Sequence, residues 1–491
     1  MAFPFENLEN LGWVPFTDIP GAVTRPVAGA ELVLDQVRRL NNGMNDLVGC
    51  IQFSHTFPLA LLEERVAEIW LRMRFRSPLI AAEIIHDTNP EKMGAWVYTP
   101  VDLEGANEWR TKTLHFQQFP KGHLTRDFIE DLIQETTTVP LPYGGNRGLL
   151  CHCHVLVERD TNRAAIFLHA SHTIIDGPAL MDCLHLLLEG IIHPERSEHS
   201  NRLQWGTEAK NLSPHPVEVF GGTVEGWDTD GIELLERIGR ILGDDQATHT
   251  ISPQRSQPEN LNHTRKVSHV FTKEETSKIL ASVKSLQVTV TVMLEAAHVL
   301  STLALRPPSS PNGRTVLFPS IVAMRHLMKQ PWNRRETLVC TGTAIPIVAS
   351  HSIVQGENAS KTERDKMVLF MRDFRQQYTE WMSSPHYVFI VPAQSAMNPI
   401  RSAITNADAE ITNLGVLERN LNLVWDGANA GERLVVDDFH LGLRRTAPVL
   451  MTHAWTLGGS MRVQCQGNDM WDVDFLQRFL DEIVRHVRLL L

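Results

Sequence analysis

Leu168-His-Ala-Ser-His-Thr-Ile-Ile-Asp-Gly177 is the stretch on which the reading of this chain turns. Residues 164–170 are rich in strand formers, and from 177 onward Leu180, Leu184, Leu187 and Leu188 recur on one helical face. The pattern predicts a strand running into His172, a short turn through Asp176 and Gly177, and a helix over 177–192. A histidine at a strand end protrudes past the sheet, and its pKa near neutrality suits a base that takes a proton and returns it. Gly177 permits a backbone conformation that other residues resist. The His-x-x-x-Asp spacing alone decides little, because 22 histidines give about one such match by chance. A second match, His123 to Asp127, stands before a helix and reads as a capping segment with Thr125 as N-cap. Context separates the two: a strand before, a glycine after, a helix beyond.

Outward from this stretch the chain alternates helical and strand patterns, which predicts an α/β protein. Helices are expected over 58–76 and 125–135, a strand over 79–85, and a hairpin of 149–158 with 164–170 about the turn 158–163. Residues 194–263 change character, rich in Ser, Asn, His, Pro and Gly, with room for one helix at 231–242. The domain reading is therefore 1–198 as a first half, 199–265 as a linker and 266–491 as a second half. The second half offers helices at 273–284, 290–305, 360–382 and 474–490, and strands at 316–324, 410–416, 447–456 and 461–466.

With those residues in place, the chain resembles the chloramphenicol-acetyltransferase-like superfamily, which includes the BAHD acyltransferases and the condensation domains of peptide synthetases. His172 to Gly177 resembles its His-x-x-x-Asp-Gly signature. Further segments agree in order: Val316 to Arg325, a strand ending in arginine; Thr341-Gly-Thr-Ala344; Ile411-Thr-Asn-Leu-Gly415; and Leu203-Gln-Trp-Gly-Thr-Glu208 between the halves. Two departures stand out. Condensation domains carry a second histidine where this chain has Ser171, and the BAHD Asp-Phe-Gly-Trp-Gly segment is here Asp438-Phe-His-Leu-Gly442. A fungal secondary-metabolism acyltransferase is the nearest picture.

The resemblance implies two similar α/β subdomains with an active-site tunnel between them, working within a monomer. It implies that His172 deprotonates an acceptor hydroxyl or amine as it attacks an acyl thioester, with acyl-coenzyme A as co-substrate and no bound cofactor. It implies that Asp176 turns from the tunnel and pairs with Arg325, that Gly177 shapes the turn, and that Thr412 or Asn413 donates to the tetrahedral oxyanion. Two alternatives stay open: a condensation-type ester or amide synthase fed by a carrier protein, and a repurposed scaffold that cyclises a natural-product precursor. A binding module without catalysis is disfavoured, because His172, Asp176, Gly177 and Arg325 occur together.

Composition excludes other classes. Lys and Arg number 46 against 57 Asp and Glu, a net charge of −11, which argues against nucleic acid or an anionic membrane as partner. No run reaches the 18 or so apolar residues of a membrane-spanning helix. The first thirteen residues have neither the basic flank nor the apolar core of a signal peptide. Six cysteines in 491 residues do not form a disulfide framework, and the expected location is the cytoplasm. Cys151-His-Cys-His154 invites a metal, but in a strand its thiols face one side and its imidazoles the other, so no metal is expected. Phosphate-loop, dinucleotide, Gly-x-Ser-x-Gly and His-Glu-x-x-His patterns do not occur.

Overall fold

The computed structural model describes residues 11–86, 94–141, 149–196, 198–222, 224–243, 248–260, 263–308, 310, 312–355 and 358–491. The signal-peptide reading falls mostly on 1–10, outside the described residues.

The expected hairpin forms between Cys151–Glu158 and Arg163–Ala170, antiparallel, with Asp160 taking the left-handed turn position at φ 57°. It sits inside a six-stranded sheet ordered Val424–Asp426, Arg433–Leu443, Leu47–His55, Arg163–Ala170, Cys151–Glu158, Leu114–Phe119. Helices Leu59–Arg76 and Gly177–Ile192 pack on one face of it. The fit there is tight: a side chain at Gly49 would meet Leu180, and one at Gly190 would meet Ile69 at 2.5 Å. These contacts fix the helix that follows His172 against both the sheet and its neighbouring helix. On the other face lies helix Arg126–Thr136, begun by the Thr125 hydroxyl, which accepts from the Phe128 amide as a capping residue should.

The second half is built on a four-stranded sheet ordered Asp408–Val416, Val449–Leu457, Ser460–Asn468, Thr264–Val270. Helices Val290–Leu305 and Val473–Arg488 bury their apolar faces in the same core. Beside it, Arg314–Val322 and Thr343–Ser350 form a two-stranded ribbon. Most expected elements are present within a few residues. The 79–85 strand is shorter: Pro78 starts a 3-10 turn over Pro78–Ala81, and only Glu83–Ile85 pairs. Among the described residues, no single helix is long and apolar enough to cross a membrane.

The halves are not separate in the way that 1–198 and 266–491 would have it. Val424–Asp426 and Arg433–Leu443 leave the second half and complete the first half's sheet. Leu434, Val436, Phe439, Leu441 and Leu443 enter the first half's core there. The linker is likewise committed to both sides. Glu208 is fully buried and accepts from the Tyr98 hydroxyl, the Val101 amide and the Gly206 amide, pinning its start to the first half. Val217, Val219, Phe220 and Ile238 then belong to the second half's core.

Cys151 and Cys153 point into the first half's core, as the pleat requires, and His152 and His154 face the other way. There His115 stacks on His152, with Nε2 3.2 Å from His152 Nδ1, and lies tilted against His154. Among the described residues, no cluster of three such side chains is placed to hold a metal ion. Burial, helped by neighbouring imidazoles, pushes His154 down to about 4 and His169 to about 3. Between those values and the unfolded pKa near 6.5, the unfolded chain takes up protons that the folded chain refuses. Falling pH therefore favours unfolding through these groups. Urea midpoints at pH 7.5 and 5.5 should show a smaller acid loss in His154→Gln than in the unaltered protein.

Candidate active site

The strand Arg163–Ala170 ends one residue before Ser171, and His172 stands in the turn that follows. Ser171, where a second histidine is absent, is wholly buried and bonds its hydroxyl to that of Thr173 at 2.7 Å, so it shapes the turn. His172 opens on a cavity of about 1240 Å³ lined from both halves, the tunnel position that the resemblance implies. Its Nδ1 is buried and bonds to no other residue, and the ring's polar neighbour is its own backbone carbonyl. That leaves Nε2 on the cavity side, where the tautomer with its proton on Nδ1 would present a lone pair. Burial lowers the His172 pKa, with the backbone carbonyl and Asp176 working the other way, so the ring is neutral at pH 7. The Cys340 thiol of the second half donates to the His172 carbonyl at 3.0 Å and holds the turn from across the cavity.

Asp176 acts as a brace rather than as a proton carrier. Its Oδ1 accepts from the Ala179 amide at 2.9 Å, capping helix Gly177–Ile192, and its Oδ2 accepts from the Thr341 amide at 3.1 Å. The expected pair with Arg325 does not form. Arg325 lies in the 3-10 turn Arg325–Leu327, and its Nε meets Asp182 at 2.6 Å, further along the same helix. One of its terminal nitrogens donates to the carbonyls of Arg334, Arg335 and Thr337, and Arg335 reaches Asp182 as well, at 3.3 Å. Capping and the Thr341 amide already use both oxygens of Asp176, so the guanidinium takes the next carboxylate. Gly177 also differs from expectation. Its backbone is not left-handed, and a side chain there would meet the tip of Leu414 at 2.6 Å, which would have to swing aside.

Opposite His172 is the second half's sheet. Along Asp408–Val416, alternate residues Glu410, Thr412 and Leu414 line the cavity, while Ala409 and Ile411 enter the core behind. Thr412 is half-buried, and its hydroxyl has no protein partner among the described residues. Asn413 also borders the cavity, but its amide is spent: Nδ2 donates to Thr291 at 3.2 Å and Oδ1 accepts from the Gly415 amide at 2.9 Å. Of the two oxyanion candidates, Thr412 is the one with a free hydroxyl.

Sequence reasoning missed three cavity residues. Glu410 has its carboxylate 3.9 Å from the fully buried Arg445, and burial raises its pKa. His453, on the strand beside Thr412, is nearly buried, and Cys340 adjoins His172. A polar residue on an otherwise apolar strand face, between Met451 and Trp455, was the available signal for His453. The rest of the lining is largely apolar and includes Val37, Met44, Leu180, Phe318 and Met451. The Asp438 segment lies beyond this wall in an ion cluster: Asp438 accepts from Arg126 and Arg462, and His440 lies between Glu130 and Gln52.

These bonds set the cost of substitution. Asp176→Ala removes a cap and leaves the Thr341 amide unpaired, for about 2–4 kcal/mol together, whereas Asp176→Asn keeps the cap and loses less. Asp182→Ala takes the carboxylate from Arg325 and Arg335, although Arg325 keeps its three carbonyls, and should cost about 1–3 kcal/mol. Denaturant titration of the three variants checks the order.

Comparison with known proteins agrees with this geometry. Residues 158–391 match the family described as 15-O-acetyltransferase Tri3. The Trichothecene O-acetyltransferase TRI3 of Trichoderma arundinaceum is 23% identical over 405 residues, 77% of this chain and 76% of that protein. The solved structure of the TRI3 trichothecene 15-O-acetyltransferase from Fusarium sporotrichioides superposes with a TM-score of 0.81 over 99% of both chains, at 18% identity. The first condensation domain of the CDA synthetase superposes at 0.67, covering 95% of this chain and 96% of that one at 11% identity. With a two-lobed fold, a cavity between the lobes and a histidine at its wall, this chain is an acyltransferase that has the fold of the condensation domains and is similar to acetyltransferases of fungal secondary metabolism.

Proposed function

We propose that the chain moves an acetyl or other short acyl group from coenzyme A to a hydroxyl of a compact, largely apolar natural product of the trichothecene type. The observation that carries this reading is the buried, neutral His172 ring, open on the cavity opposite the free Thr412 hydroxyl. An apolar lining with a few polar groups suits a ring skeleton bearing scattered oxygens. The acetyltransferase relatives support the acceptor class.

In the reaction, His172 Nε2 takes the acceptor hydroxyl's proton as its oxygen attacks the thioester carbonyl. The carbonyl electrons move onto oxygen, where the Thr412 hydroxyl donates to the anion. Collapse of the tetrahedral adduct re-forms the carbonyl and breaks the carbon–sulfur bond, and the thiolate takes the proton back from His172. Ester and free thiol leave, and the enzyme returns to its starting protonation. No group besides these side chains is required.

The test is free-thiol release and acceptor mass gain with acetyl-coenzyme A, or a pantetheine-linked carrier protein, and a panel of trichothecene alcohols. His172→Ala should lower kcat by about 10²- to 10⁴-fold, the contribution of a positioned general base. Acceptor consumed or isomerised without thiol release defeats acyl transfer and leaves cyclisation. Transfer from the carrier protein alone identifies the condensation-type donor.

A pH profile gives a second check. A base must be neutral to act, and burial lowers the His172 pKa from 6.5. The acid limb of kcat/KM should therefore have its midpoint below 6.5, with activity held as pH falls through that value. A midpoint above 6.5 contradicts the buried, neutral ring.

A further inference from the structure

The cavity holds a second imidazole to which the mechanism above gives no part. His453 lies on the strand Val449–Leu457, whose residues Met451, His453 and Trp455 face the first half. In the parallel ladder with Asp408–Val416 its register partner is Thr412. Partners in a parallel pair point to the same face, so the Thr412 hydroxyl and the His453 ring stand side by side on the wall opposite His172.

Which nitrogen of His453 carries the proton is set by its neighbours. Its Nδ1 is 3.2 Å from the Gln466 side-chain nitrogen. The oxygen of that same amide already accepts from the Leu443 backbone at 3.4 Å, which fixes the amide's orientation. Gln466 therefore donates to Nδ1, and the ring proton must be on Nε2. The residue is only 4% exposed, and its Nε2 meets no protein group among the described residues, so that N–H opens on the cavity. Burial, with Arg445, His172 and Lys266 near, holds the ring neutral, at about 3.

A base at His172 needs the opposite tautomer, with a lone pair toward the cavity, whereas His453 offers a hydrogen. A neutral donor of fixed direction, beside the Thr412 hydroxyl and across from the base, suits the oxygen on which charge develops when a thioester is attacked. We propose that His453 Nε2–H is a second oxyanion donor, paired with Thr412, and that Gln466 is the positioning residue that locks its tautomer. The inference rests on the acyl-transfer reading for its chemistry and on Gln466 for its geometry.

Steady-state kinetics of His453→Phe and His453→Gln, with a donor and acceptor pair that the unaltered enzyme turns over, test the role. His453→Phe should lose about 10²- to 10³-fold in kcat with both KM values within about threefold, as for loss of an oxyanion donor. His453→Gln, which still presents an N–H, should recover most of that loss. A folded His453→Phe enzyme with kcat unchanged, or a loss confined to KM, overturns the proposal. If His453→Phe does not fold, Gln466→Leu takes its place: kcat should fall at constant KM, and an unchanged kcat overturns the proposal. Nitrogen-15 shifts of the His453 ring need no substrate and should show the proton on Nε2. A proton on Nδ1 overturns the proposal whatever the reaction, so its failure is distinguishable from failure of acyl transfer.

Discussion

One carboxylate serves both halves of this enzyme. Asp176 gives one oxygen to the first turn of its own helix and the other to the Thr341 amide of the opposite half. Everything that makes the site hangs from that division. The cap fixes where helix Gly177–Ile192 begins, hence the turn on which His172 stands. The second bond sets how far the Thr341 segment lies from that turn, and Cys340, its neighbour in sequence, reaches the His172 carbonyl. Buried polar groups are costly unless paired. Here the pairing itself holds the two walls of the cavity together.

Those walls are chemically unlike. The first half contributes a neutral histidine on a short turn. The second contributes a flat sheet face on which Glu410, Thr412 and His453 stand in register. A sheet face places side chains at fixed intervals, which suits groups that must meet an oxygen at a set distance. A turn sets the base apart from its neighbours. The low dielectric between the walls strengthens each of these interactions relative to water.

The elements legible in the sequence were those whose signal is local. The helices over 59–76, 126–136 and 177–192 follow from spacing and from caps such as Thr125, and the 151–170 hairpin from two strand-forming runs about a polar turn. The His172 segment was legible because strand, turn and helix are consecutive. What stayed hidden depends on partners far away in the chain. Arg325 had two carboxylates to choose from, six residues apart on one helix, and nothing in the sequence shows that capping and the Thr341 amide had claimed the first. Gly177 reads as a conformational glycine, yet its neighbour Leu414 lies 237 positions on. His453 is a lone polar residue on one face of its strand, between Met451 and Trp455, a pattern that core packing produces as readily as chemistry does. The strand Arg433–Leu443 carries apolar alternation but no mark of the sheet to which it belongs.

That last strand bears on how such an enzyme can change over time. Lobes joined by a polar stretch look like modules to be exchanged, and 199–265 looks like the seam. A first half cut off there would have a sheet lacking Val424–Asp426 and Arg433–Leu443, and one joined to a foreign second half would have to pair Leu47–His55 and pack its core with that half's strands. Exchanging lobes therefore disturbs a sheet and a core as well as the cavity, whereas a substitution along the cavity wall leaves both in place.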